Sequence, residues 1–189
     1  GFKIELVASE PLINEPVSIA WDGNGQMYVA QMVTYMQDAD ATNENEPWSR
    51  ISILRDTDQD GRMDKADVFI DSMVLPRIML PLDDRVLVGE TYQRNLYTYR
   101  DTNGDGRADE KILLLEDTVR DNRNLEHQDA NMIWSIDNWL YVTNKTFRYR
   151  FTENQLLRDT LPEPAMGQWG LTQDETGRLF FSRAGTEVP

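Results

Sequence analysis

Hydrophobic and polar positions alternate along this chain in short bursts, and no stretch sustains a helical period of 3.6 residues. Apolar segments are separated by Asp, Asn, Gly and Pro, the pattern of an all-β protein. The pattern predicts strands over 17–21, 27–31, 51–55, 67–70, 85–90, 95–100 and 111–115. Further strands are predicted over 132–136, 140–144, 147–151, 171–173 and 179–182, and residues 2–9 also read as strand-like. One long polar stretch, 37–47, reads as an exposed insertion loop.

Internal repetition organises these strands. Four hairpins share one form, a strand, a turn beginning with Asp and a second strand of bulky residues; the turns start at Asp22, Asp83, Asp137 and Asp174. A second repeat interleaves with them. Arg50-Ile51-Ser52-Ile53-Leu54-Arg55-Asp56 returns about 45 residues later as Asn95-Leu96-Tyr97-Thr98-Tyr99-Arg100-Asp101. Periods of about 40–50 residues with about four strands each predict a β-propeller, with about three and a half blades across residues 1–189. A β-sandwich is the rival architecture, but a sandwich requires no repeat. An unclosed propeller leaves edge strands, so the remainder of the propeller, or a completing chain, is the expected partner.

Composition narrows the function classes. The 189 residues carry 19 Lys and Arg against 33 Asp and Glu, a net charge of −14. That balance argues against binding nucleic acid or an anionic membrane surface. No apolar run approaches the roughly 20 residues needed to cross a bilayer as a helix. With no cysteine, the chain has no disulfide, no thiolate metal site, no cysteine nucleophile and no c-type haem attachment.

Two aspartate loops concentrate the acidic residues. Asp56-Thr57-Asp58-Gln59-Asp60-Gly61-Arg62-Met63-Asp64 and Asp101-Thr102-Asn103-Gly104-Asp105-Gly106-Arg107-Ala108-Asp109 follow one template. Side-chain oxygens fall at positions 1, 3, 5 and 9, and glycine at 6 permits a turn that aims the position-7 carbonyl, of Arg62 or Arg107, inward. Calcium takes six to eight hard oxygen ligands, and this spacing converges them. Asp67 stands at position 12 of the first loop, where a bidentate acid is expected. Ile112 stands there in the second, which is one ligand short. The loops, 56–67 and 101–112, are therefore expected to bind Ca2+ on strand hairpins, in a structural role. The plainer alternative is a pair of polar β-turns.

The single histidine, His127, lies in Asn124-Leu125-Glu126-His127-Gln128-Asp129-Ala130-Asn131. Histidine suits general-base chemistry near neutral pH; the plainer reading is a loop imidazole bonded to a carboxylate such as Glu126. One histidine excludes a multi-histidine zinc site. Trp134, Trp139 and Trp169 read either as blade packing or as stacking platforms for a sugar. The basic residues within 145–150 read as a solvated strand face.

The opening Gly1-Phe2-Lys3-Ile4-Glu5-Leu6-Val7-Ala8-Ser9-Glu10-Pro11, the aspartate run at 56–65 and Val74-Leu75-Pro76 carry a resemblance. The chain resembles, over essentially its whole length, the N-terminal propeller of bacterial putative membrane-bound dehydrogenases. Those proteins are often fused to cytochrome c and are related to soluble quinoprotein glucose and sorbosone dehydrogenases. The resemblance implies six blades in the complete protein, export to the periplasm or cell surface, a calcium-assisted pyrroloquinoline quinone, and electron transfer to haem c on another domain or chain. It places His127 as the catalytic base. Where the quinoproteins carry a quinone-contacting Arg-Asn-Pro segment, this chain reads Met166-Gly167-Gln168-Trp169-Gly170-Leu171. Lys145, Arg148 and Arg183 are candidate substitutes for meeting the quinone's carboxylates.

Two functions follow as expectations. One is the calcium-binding propeller of a secreted sugar or alcohol dehydrogenase-like protein that passes electrons to a quinone or haem acceptor. The other is a non-catalytic, calcium-stabilised propeller that binds carbohydrate or docks in a cell-surface protein complex.

Overall fold

The computed structural model describes residues 1–189 except 121–123, 154, 166 and 183–189, and describes Pro164 and Ala165 by their backbone. Among the described residues, fourteen strands form three four-stranded antiparallel sheets and one two-stranded sheet. The first sheet is the meander β1 (Pro16–Trp21), β2 (Met27–Gln31), β3 (Ser49–Arg55) and β4 (Lys65–Met73). The second follows the same order with β5 (Pro76–Pro81), β6 (Val86–Glu90), β7 (Leu96–Arg100) and β8 (Glu110–Leu115). The third runs β9 (Met132–Trp134), β10 (Leu140–Val142), β11 (Lys145–Thr152) and β12 (Gln155–Ala165). β13 (Leu171–Gln173) and β14 (Leu179–Phe181) form the last hairpin. The described residues therefore hold the three and a half repeats that the sequence periods predict.

Each sheet begins with one of the four repeated hairpins, and at Asp22, Asp137 and Asp174 the aspartate closes the turn. The Asp22 carboxylate accepts the backbone N–H groups of Asn24 and Gln26, both at 2.9 Å. Asp174 does the same for Thr176 and Arg178 at 2.9 and 3.0 Å. Carboxylate side chains of this kind mimic a backbone turn. Hydrophobic content sets the core: β2 is buried along its whole length, and β3 and β6 nearly so. Met27, Val29 and Leu54 pack with Ile13, and partly buried Leu12, Met63 and Ala66 cover them. Tyr141 and Leu171 anchor a second cluster with Ile133, Trp139, Leu161 and Leu179.

Residues 2–9 form no strand. Phe2 and Ile4 are fully exposed, and among the described residues this segment's tie to the aspartate loop is the bond from Met63 N–H to the Val7 carbonyl, 2.8 Å. An alternating sequence becomes a strand only where a second strand supplies the ladder. The loop expected over 37–47 is present as turns and bends, largely exposed.

The chain divides into two compact units. One comprises Gly1–Pro76, Pro81–Val86 and Tyr99–Lys111; the other comprises Arg77–Leu80, Leu87–Thr98 and Ile112–Pro189. Within an antiparallel meander, the turns after the first and third strands leave from one end, and those after the second strand from the other. The aspartate loops are β3–β4 and β7–β8 connections and belong to the first unit. The segment bearing His127 precedes β9 and belongs to the second, at the end of the third sheet where β10 turns into β11.

Candidate functional site

The two aspartate loops fold alike. In the first, the Asp56 carboxylate accepts the Gly61 N–H at 2.8 Å; in the second, Asp101 accepts the Gly106 N–H at 2.8 Å. The position-9 acids close each loop, Asp64 on the N–H and hydroxyl of Thr57, Asp109 on those of Thr102. Asp60 and Asp105 each accept the following arginine's N–H, at 2.8 and 2.9 Å. Asn103 accepts from the Asp105 N–H at 2.9 Å. Gly61 and Gly106 adopt φ of 90° and 89°, the left-handed region that position 6 requires.

Electrostatics separates the acids. The Gly61 N–H holds the Asp56 carboxyl below its ordinary range, and the Gly106 N–H does the same for Asp101. Asp58 is pushed up, first by the charge of Asp60. Ligand oxygens of Asp56, Asp58 and Asp64 lie within 4.8 Å of one another, a hard-oxygen set that suits a cation such as calcium. Asp60 stands outside that triad, with its Oδ1 on Arg62. Asp67 lies on β4 and is paired with Arg55 and, at 3.1 Å, Lys65; the Lys65 hydrogen bond leads the lowering of its carboxyl. Arg62 and Arg107 occupy position 7 of the two loops, each donating its N–H to the aspartate two residues before it.

In the second unit, His127 ends a short 3₁₀ turn, Leu125–His127, and its side chain is exposed. Its imidazole has no hydrogen-bond partner among the described residues, so a bond to Glu126 does not form. The turn itself is fastened from several sides. Asn124 caps it by accepting the Glu126 N–H at 2.9 Å. Gln168 donates to the Glu126 carbonyl at 2.8 Å. Arg77, 2% exposed at the start of β5, donates to the carbonyls of Leu125 and Gln128, and its guanidinium lies 4.6 Å from the Trp169 ring centre. The Gln128 side chain accepts the Tyr92 N–H at 2.7 Å, and the Thr143 hydroxyl accepts from the Ala130 N–H at 2.9 Å. Sequence reasoning missed Arg77; its one visible signal was a lone basic residue in an apolar strand.

The other candidates divide. Lys145 pairs with Asp129 at 2.5 Å, and Arg148 grips Asp159 through Nε and Nη2 at 2.9 and 2.8 Å. Arg183 lies outside the described residues, as does Met166 in the segment where the quinone contacts were expected. Gly167, next to it, holds φ of 107°, and a Cβ there would meet the Phe181 Cβ at 2.9 Å. Trp139 packs in the core cluster between Arg148 and Arg150, each guanidinium 4.2 Å from its ring centre, which is blade packing. Trp134 is 41% exposed and bonds Asn138 through its indole N–H at 2.9 Å. Among the described residues no helix is long and apolar enough to cross a membrane.

Comparison with solved structures identifies the fold as a β-propeller. A gluconolactonase from Xanthomonas campestris is similar over 89% of this chain and 54% of its own, with TM-score 0.56 and 15% identity. A structure described as a putative gluconolactonase is similar over 92% of this chain and 57% of its own, with TM-score 0.57 and 14% identity. A luciferin-regenerating enzyme is similar over 78% and 47%, with TM-score 0.50 and 12% identity. The chain thus spans about half the length of these propellers. Among curated proteins no sequence matches it. A family profile matches residues 1–189 in full, and the chain belongs to that family, described as Domain of unknown function (DUF7133).

Proposed function

We propose that this chain is the calcium-braced part of a β-propeller protein acting on a sugar-type alcohol or a related sugar derivative, with His127 as general base. The observation that carries this reading is the exposed, unbonded imidazole on a turn fastened by buried Arg77 and by Gln168. An imidazole held in that way can take the proton of a substrate hydroxyl, and a rigid support is what such a base needs. Propellers of similar fold that are named for lactone chemistry lend this support at the level of fold, and a periplasmic or cell-surface setting accords with the sequence resemblance. Ca2+ in the aspartate loops, with Asp56, Asp58 and Asp64 as its first carboxylates, would tie β3 to β4.

The described residues do not fit a quinone. Arg148 is committed to Asp159, Lys145 gives one of its three donors to Asp129, and the Arg-Asn pair is replaced by Gln168 and Trp169, which hold the histidine turn and cover Arg77. The electron acceptor, such as a haem c, therefore belongs to another domain or chain. The committed Arg148 and the missing Arg-Asn pair favour the second reading, a non-catalytic propeller that binds carbohydrate or docks on a cell-surface assembly.

The test uses the full-length, calcium-loaded protein and its His127→Ala variant, assayed for dye-linked oxidation of sugars and for sugar binding. The expected result is a fall in turnover of about 10²- to 10⁴-fold with binding retained. Turnover that survives the substitution would remove His127 as the base. Sugar binding without turnover in both proteins would establish the second reading instead.

A further inference from the structure

We infer that a cleft in the second unit, lined by Arg77, Glu90, Arg94, Asp129, Lys145 and Tyr149, is the seat for the carboxylate head of a small organic acid. It opens at the start of β5, the β6–β7 turn and the β10–β11 turn. Its ionisable lining holds three cationic side chains against two carboxylates, one positive charge in excess within a chain of net −14. These groups are not a solvated fringe: Arg77 is 2% exposed, Asp129 8% and Tyr149 3%. Desolvating charge at this density is costly and is retained where a site uses it.

Tyr149 sharpens the ligand class. Its phenol lines the cleft and makes no hydrogen bond among the described residues, so the hydroxyl keeps its donor for a ligand seated there. Burial, and next the charge of Asp129, push it up to about 12, so it remains a proton donor at neutral pH. Lys145 has three donors, of which Asp129 takes one at 2.5 Å. Ile78, Leu96 and Val142 complete the walls. The cavity admits a group about the size of one or two water molecules, which suits a carboxylate and leaves the rest of the ligand outside. A phosphate dianion overshoots the single excess charge, and a cation adds to it.

Acetate, gluconate, phosphate and methylammonium are each titrated calorimetrically into the full-length, calcium-loaded protein. Acetate and gluconate should saturate one site, with phosphate and methylammonium weaker. Tyr149→Phe removes an oxygen that bonds nothing among the described residues, so its thermal unfolding should match the parent. Its acetate affinity should nonetheless fall about tenfold or more. Absence of acetate binding, equal binding of phosphate or methylammonium, or unchanged affinity in Tyr149→Phe would each overturn the assignment. His127→Ala should leave acetate binding intact, which keeps this inference separate from the role proposed for His127.

Discussion

Arg77 occupies a strand bracketed by Pro76 and Pro81, one basic side chain among Ile78, Met79 and Leu80. A sequence pattern assigns such a residue to an exposed edge, because burying a guanidinium is costly without partners. Its partners come from far along the chain: two main-chain carbonyls of the histidine turn and the face of Trp169. Such contacts carry no local signal, which is why His127 was legible as a candidate and its support was not. Arg77→Met should lower unfolding stability by about 3 kcal/mol, since it strands buried carbonyls and empties a packed site. Arg77→Lys should recover only part of it, because one ammonium cannot span two carbonyls in a fixed fork. Urea denaturation of both variants measures this; equal stability of Arg77→Met and the parent would contradict the accounting.

At the scale of elements, the Asp-led hairpins and the aspartate loops were readable because their information is local. A short side chain caps its own turn, and a glycine supplies a left-handed φ at a fixed offset. Strand ends were less readable. β12 was missed because Pro162 and Pro164 interrupt its pattern, yet it lies at the edge of its sheet, where missing N–H donors are tolerated. Residues 2–9 showed the converse, a strand-like sequence without a ladder. The first aspartate loop yields a prediction of opposite signs. Asp60 pushes Asp58 up, so Asp60→Asn should raise the melting temperature of chelator-treated protein by relieving like-charge repulsion. The same substitution should weaken calcium affinity by about tenfold, because affinity follows the charge of the ligand set. Paired melting curves with and without calcium check this; a substitution that lowers both temperatures would mean that Asp60 acts by its turn geometry alone.

Over the whole molecule, periodicity gave the number of sheets, and it could do so because it is a sum over many residues that tolerates local errors. The same summation shapes the response to pH. Asp38, Asp56, Asp67, Asp84, Asp101 and Asp174 are all held below the ordinary 3.8, by backbone N–H groups, Thr176, Lys65 or Arg85, while Asp58 moves the other way. A depressed carboxyl contributes stability that is complete above its unfolded value and is lost as pH falls through its folded value. The acid limb should therefore lie below about pH 4, late for a chain this acidic. The alkaline limb has the reverse origin. Tyr149 is raised by burial from 10.0 to about 12, so it contributes stability that is full below pH 10 and lost as pH rises toward 12. Denaturation midpoints should run flat between these limits, and phenolate absorbance should show a late-titrating tyrosine that disappears in Tyr149→Phe, with the alkaline loss reduced to match. A chain whose tyrosines all titrate together near 10 would place Tyr149 in contact with solvent, and the part of the cleft argument that rests on its burial would fall with it.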